Sequence, residues 1–109
     1  MNKYFSFEYE GKTNEVEYDR NTFVKAESSG FSIEAVTHYP LVQARLILRL
    51  GLQKHHPNLS ERIFEQVFNY FCDEYGLDEF LGFVGESYAS FTMTTQRSSE
   101  KKNLNIQQR

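Results

Sequence analysis

The sequence has no tryptophan, one cysteine and only two prolines in 109 residues. A lone thiol, Cys72, excludes an intrachain disulfide and a thiolate zinc cluster. Long hydrophobic runs are missing too, and nothing approaches the roughly 18 apolar residues of a membrane span. The opening Met-Asn-Lys-Tyr-Phe-Ser-Phe-Glu is too acidic and too poor in apolar residues for a secretory signal. Bases are outnumbered: 12 Lys+Arg stand against 15 Asp+Glu, a formal charge of −3. That balance argues against a general nucleic-acid binder, which needs a net basic face. What is present is aromatic. Ten Phe and seven Tyr are enough to build a core in a chain of one-domain length. A single cytoplasmic domain is the expectation.

Charge falls in blocks. Residues 1–19 are acidic, and residues 35–60 hold Arg45, Arg49 and Lys54 with no acid. Residues 61–90 set Arg62 against seven acids, and residues 91–109 are basic again. Such alternation suits docking between segments or between copies, although solvated faces of amphipathic elements produce it as well.

The first twenty residues have period two. Phe5, Phe7 and Tyr9 alternate with Ser6, Glu8 and Glu10; beyond Gly11-Lys12, Val16 and Tyr18 alternate with Glu15, Glu17 and Asp19. Two such runs about a glycine predict an antiparallel hairpin with one aromatic face. A hairpin is marginal alone, so that face must pack on something. The period then becomes helical. Asn21-Thr22 is placed to cap a short helix carrying Phe23, Val24 and Ala26, ending at Ser28-Ser29-Gly30, with Phe31 and Ile33 tucked beneath it. Pro40 suits a helix start, where its missing N–H is not needed. The helix it opens carries Leu41, Ala44, Leu48 and Leu52, widened by Val42, Ile47 and Leu50, a face broad enough for a central helix. Asn58 and Glu61 have capping-box spacing before Ile63, Phe64, Val67, Phe68, Phe71 and Cys72. Gly76 stops that helix, and Asp78 is placed to cap a last one carrying Leu77, Leu81, Val84, Tyr88 and Phe91, flanked by Phe80 and Phe83. The prediction is α+β: an N-terminal antiparallel β-hairpin packed on a bundle of about four α-helices, forming one domain over residues 1–95. Residues 96–109 read as a flexible tail.

Little here points to chemistry. His55 and His56 are adjacent, so they diverge by about 100° on a helix, and no HxxxH or ExxH spacing accompanies them. They read instead as a helix end where imidazoles meet free carbonyls. Cys72 lies on an apolar row beside Asp73 and Glu74, the setting of an inert thiol. Gly82 and Gly85 follow no strand and lack a Lys-Ser/Thr, so no phosphate loop forms; they predict the close approach of another helix, from this chain or a second copy. No Ser/His/Asp set has a recognisable setting. No catalytic residue, no cofactor and no metal is expected. The residues expected to touch partners are Arg45 and Arg49 on the basic helix, with Phe80, Phe83 and Tyr88 on the glycine-containing one.

The order of these features resembles a known family. An aromatic strand ends in Tyr9-Glu10-Gly11-Lys12, followed by Val16-Glu17-Tyr18 and Asp19-Arg20; a short helix ends in Ser29-Gly30-Phe31; a Pro-led helix closes on Lys54-His55-His56-Pro57-Asn58-Leu59. Over roughly residues 3–95 this looks like the small tail assembly chaperones of phages and prophages of Gram-positive bacteria. It departs from their pattern at Asn14-Glu15, where an aromatic or aliphatic residue is expected after the turn. The resemblance implies a non-enzymatic protein of the bacterial host cytoplasm that is absent from the mature virion. It implies self-association into a ring or spiral that coats the tape measure protein while tail tube subunits polymerise around it. It also implies a longer, frameshifted form. Glu100-Lys101-Lys102 can be encoded by a slippery A-rich run, which fits that implication. Neither nucleic acid nor a membrane is an expected partner. The competing reading is a small phage-encoded inhibitor of a host protein, acting through the acidic surface of residues 61–90.

Overall fold

A computed structural model describes residues 2–92. The chain runs β1 (Lys3–Tyr9), β2 (Lys12–Tyr18), α1 (Arg20–Ser28), α2 (Ile33–His38), α3 (Pro40–Gln53), α4 (Glu61–Tyr75) and α5 (Asp78–Thr92). An antiparallel two-stranded sheet rests on helices, the α+β arrangement that the patterning predicts. The expected tail over 96–109 and the Lys101-Lys102 run lie outside the described residues, as does the end of the predicted domain at 95.

The hairpin is closed by two residues, Glu10 and Gly11, between the facing pair Tyr9 and Lys12. Both have positive φ, 51° and 76°, the backbone of a type I′ turn whose twist matches that of the strands. Register follows from the turn: Phe5 faces Val16, Phe7 faces Asn14 and Ser6 faces Glu15. Phe7, Val16 and Tyr18 are buried while Glu8 and Thr13 are exposed, so one face is core and the other is wet. Asn14, the departure from the expected pattern, occupies a core-facing position. It is buried and donates from Nδ2 to the Lys12 carbonyl at 3.3 Å.

The caps differ from those expected. Asp19, rather than Asn21 or Thr22, opens α1: Thr22 N–H donates to Asp19 Oδ1 at 2.8 Å, and Asp19 N–H donates to Thr22 Oγ1 at 3.2 Å. This is a capping box shifted two residues upstream, because Arg20 and Asn21 already lie in the first turn. At the other end Gly30, with φ 109°, turns the chain. The Phe31 N–H then reaches the Ala26 carbonyl and the Gly30 N–H reaches that of Glu27, a Schellman ending. Phe31 is thereby buried against Phe23, but Ile33 is exposed and begins a fifth helix, α2, which the sequence reading left out. Ser60, rather than Asn58, caps α4, accepting from Ile63 N–H at 3.2 Å. Gly76 ends α4 with φ 73°.

α3 is the hub. β2, α1, α2 and α4 all pack on it. Ala44, Ile47, Leu48 and Leu52 are fully buried along its length. Gly51 lets β2 cross closely: a Cβ there would stand 2.6 Å from Val16 Cγ1 and 2.7 Å from Tyr18 Cζ. Tyr18, wholly buried, donates its hydroxyl to the Ile47 carbonyl at 2.8 Å, and burial pushes that phenol well above its ordinary pKa. Gln43 ties α1 to α3, accepting from Ser32 N–H and donating to the Gly30 carbonyl. α5 is held by aromatic rings: Phe80 against Phe5 and Phe71, Phe83 against Phe5 and Tyr18, and Tyr88 against Phe23 and Phe31.

Gly82 and Gly85 are not approached by another helix of the described residues. Among the described residues nothing lies within 4 Å of a Cβ at either position. The glycine that close approach requires is Gly51, on α3.

Candidate functional site

A groove of about 620 Å³ lies between α3 and α4. Its floor is apolar: Leu41, Val42 and Leu46 from α3, with Phe64, Phe68 and Cys72 from α4. Its rim is charged, with Arg45, Arg49, Glu61 and Asp73. In the first turn of α3, Leu41 is 59% exposed and Val42 64%. Tyr39, just before them in sequence, is 63% exposed, and Ile33 at the start of α2 is partly exposed. Large apolar side chains collected in one exposed region mark a surface that binds something.

Both rim arginines are engaged. Arg49 pairs with Glu61 at 2.6 Å and lies over the Phe64 ring, 5.2 Å from its centroid. Arg45 pairs with Glu61 at 3.3 Å and also with Glu65. The basic block of α3 and two acids of the following block therefore neutralise each other within one chain. Cys72 is half-buried on the floor; burial, helped by Asp73, pushes its thiol pKa up and keeps it protonated.

A polar cluster joins the end of α3 to the outer side of β2. Lys54 pairs with Asp19 at 2.7 Å, and this hydrogen bond, aided by the Thr22 N–H, lowers the Asp19 pKa to about 2. His55 Nε2 meets Glu17 Oε1 at 2.7 Å, and hydrogen bonds from Asn2 and His55 hold the Glu17 carboxyl below its ordinary range. His56 Nε2 accepts the Glu15 N–H at 3.0 Å. The histidines thus meet the edge of β2, not the free carbonyls of a helix end. Among the described residues no group of three or more His, Cys, Asp or Glu side chains is arranged to hold a metal ion. No described helix is long and apolar enough to cross a membrane.

The five residues expected at a contact surface do not share one. Arg45 and Arg49 line the groove. Phe80 is 4% exposed and belongs to the core, a correction with a simple cause. Phe80 packs against Phe5 of the hairpin and Phe71 of α4, and the buried row of α5 is Phe80, Val84 and Ser87, which shares only Val84 with the row that periodicity favoured. Phe83 is half-buried beneath Phe5, and Tyr88 donates to Glu27 at 2.6 Å on the α1 side. The sequence reading missed Leu41 and Val42 as surface residues because it assigned them to the core. The available signal was the width of the apolar arc on α3, greater than one neighbour could cover.

Comparison with known proteins gives a family and no activity. The family described as Domain of unknown function (DUF5055) matches residues 1–108, and the chain belongs to it. No curated protein and no solved structure matches the chain.

Proposed function

We propose that this member of the DUF5055 family is a non-catalytic phage tail assembly chaperone whose α3/α4 groove holds helical segments of the tape measure protein. The observation that carries the reading is the groove, with its apolar floor and exposed Leu41 and Val42 at one end. An amphipathic client helix binds in such a trough by its apolar row, and its charged flanks meet the Arg/Glu rim. Many copies on a long client multiply weak contacts through avidity. The working place of such a protein is the host cytoplasm during tail growth, before the virion is complete. The sequence order running from the Tyr9-Glu10-Gly11-Lys12 turn to the Lys54–Leu59 segment supports the same reading.

The competing inhibitor reading needs a free acidic surface. Glu61 and Glu65, at the head of that surface, are paired with Arg45 and Arg49, which favours the chaperone. Co-expression of the full chain with the tape measure protein of the same genome is the test. The expected result is a soluble complex that Val42→Asp abolishes. A client that stays insoluble with the native chain overturns the proposal.

A further inference from the structure

The two edges of the hairpin are finished differently. The Glu15 N–H points away from β1, because it donates to His56. Hydrogen-bonding direction alternates along an antiparallel pair, so the facing residue Ser6 points its own N–H and C=O away from β2, as do Tyr4 and Glu8. Among the described residues no backbone group takes up that outer edge of β1. The strand is seven residues long, without proline or bulge. Natural proteins protect such edges, because a bare one is a template for another strand.

We propose that this edge pairs antiparallel with the β1 edge of a second copy, about a two-fold axis at Ser6, giving a continuous four-stranded sheet. The central Phe-Ser-Phe of the strand reads the same in both directions. With Ser6 opposite Ser6, Phe5 faces Phe7 of the second copy, Tyr4 faces Glu8 and Lys3 faces Tyr9. All seven residues overlap, Phe5 and Phe7 face each other, and no like charges oppose. Shifting the axis to Phe5 or Phe7 cuts the overlap to five residues, and centring on Glu8 sets two carboxylates against each other. An odd shift would turn the core face outward. A cavity of about 300 Å³ opens beside this edge, lined by Ser6, Phe5, Phe71, Tyr75, Phe80 and Phe83. Phe7 lines that cavity from within its own copy, buried against Phe71 and Tyr75, so pairing brings up the neighbour's backbone and not its Phe7 ring. Cross-strand aromatic pairs are the favourable unit of sheet pairing.

This surface shares no lining residue with the client groove. A chain that stays single yet solubilises its client overturns the pairing and leaves the chaperone reading. A paired chain that fails with the client does the reverse. Light scattering on the eluting full chain is the test, with far-UV melting as a check on folding. The native chain is expected as a dimer or an even multiple of it. Ser6→Pro removes an outward N–H that the hairpin does not use. Ser6→Lys sets two ammonium groups together at the axis, while within one copy the lysine faces Glu15. Each is expected to halve the mass and weaken association by about tenfold or more with the melt unchanged. Should either disturb folding, a crosslink decides. Ser6→Cys in a Cys72→Ala background closes a covalent dimer under an added oxidant, since directly opposed Cα atoms about 5.5 Å apart are within disulfide reach. Glu8→Cys in that background does not. A native chain that is single at its highest soluble concentration overturns the proposal. So does association untouched by both folded Ser6 variants, or Glu8→Cys crosslinking as fast as Ser6→Cys.

Discussion

The two sides of α3 differ in how they are finished. Toward β2 the helix is sealed: Gly51 admits Val16 and Tyr18 to van der Waals contact, and the Tyr18 hydroxyl is bonded to the Ile47 carbonyl. Toward α4 it is open: Leu41, Val42 and Leu46 floor a groove that the described residues do not fill. Both sides are apolar in sequence, so hydrophobicity alone does not tell a packed surface from a binding one. Fit does. Where backbones approach to a glycine's width, dispersion and burial are complete and the contact carries stability. Where a groove remains between helices, the same residue types are left for a partner.

The largest effect should come from forcing the sealed side apart. Gly51→Ala gains up to about 1 kcal/mol of helix propensity. It also drives a methyl into Val16 and Tyr18, with overpacking costs of roughly 1–3 kcal/mol or more at a contact that would close to 2.6 Å. A net loss of stability is expected in urea titration. The comparison sharpens with Gly82→Ala, where open space should let the propensity gain through as a small stabilisation. Stabilisation by Gly51→Ala would break the distinction.

Next is the hydrogen bond at the same contact. Tyr18→Phe keeps the ring and removes the hydroxyl from the Ile47 carbonyl, with an expected cost of roughly 1 kcal/mol, read as a lower denaturant midpoint with unchanged slope.

The cap that starts α1 behind this contact should matter to a similar degree, and with a pH signature. Asp19→Ala should cost about 1 kcal/mol near neutral pH. The Asp19 pKa is about 2 in the folded chain, against an ordinary 3.8. The folded state therefore favours the carboxylate. Its stabilisation is fully present above the ordinary value and is lost as pH falls through the folded one. The native chain should lose stability between about pH 4 and 2 more steeply than the Asp19→Ala variant. Parallel acid limbs would show that the Lys54–Asp19 pair contributes nothing.

The smallest effect on stability belongs to the open side. Val42→Asp lies at a position 64% exposed, and a surface change away from packing features should move stability by no more than about 0.5 kcal/mol. Client binding should fall sharply all the same. A large stability loss there would make the groove part of the core and remove the contrast between the two sides.

Much of the fold was legible because patterning and turn chemistry agree. Alternation through Phe5–Tyr9 and Val16–Tyr18 with Gly11 between them identified the hairpin. Pro40 and Gly76 marked helix ends through their backbone requirements. Caps were less legible, since Asp19, Asn21 and Thr22, or Asn58 and Ser60, are all chemically able to cap, and the turn geometry chooses among them. α2 escaped notice because six residues with no buried side chain leave no periodic signal. The groove was half legible. Arg45 and Arg49 were identified as a basic pair, but their partners Glu61 and Glu65 were not, because an ion pair across two helices depends on crossing geometry.

By itself the sequence determined the elements and their faces: residue spacing sets which side of a strand or helix is apolar, and that is a property of the local chain. Tertiary structure alone decided which glycine bears a close contact, which apolar arc of α3 is covered and which edge of the hairpin the described residues leave unpaired. Those outcomes depend on distances between segments far apart in sequence, and these distances exist only once the backbones have been set against one another.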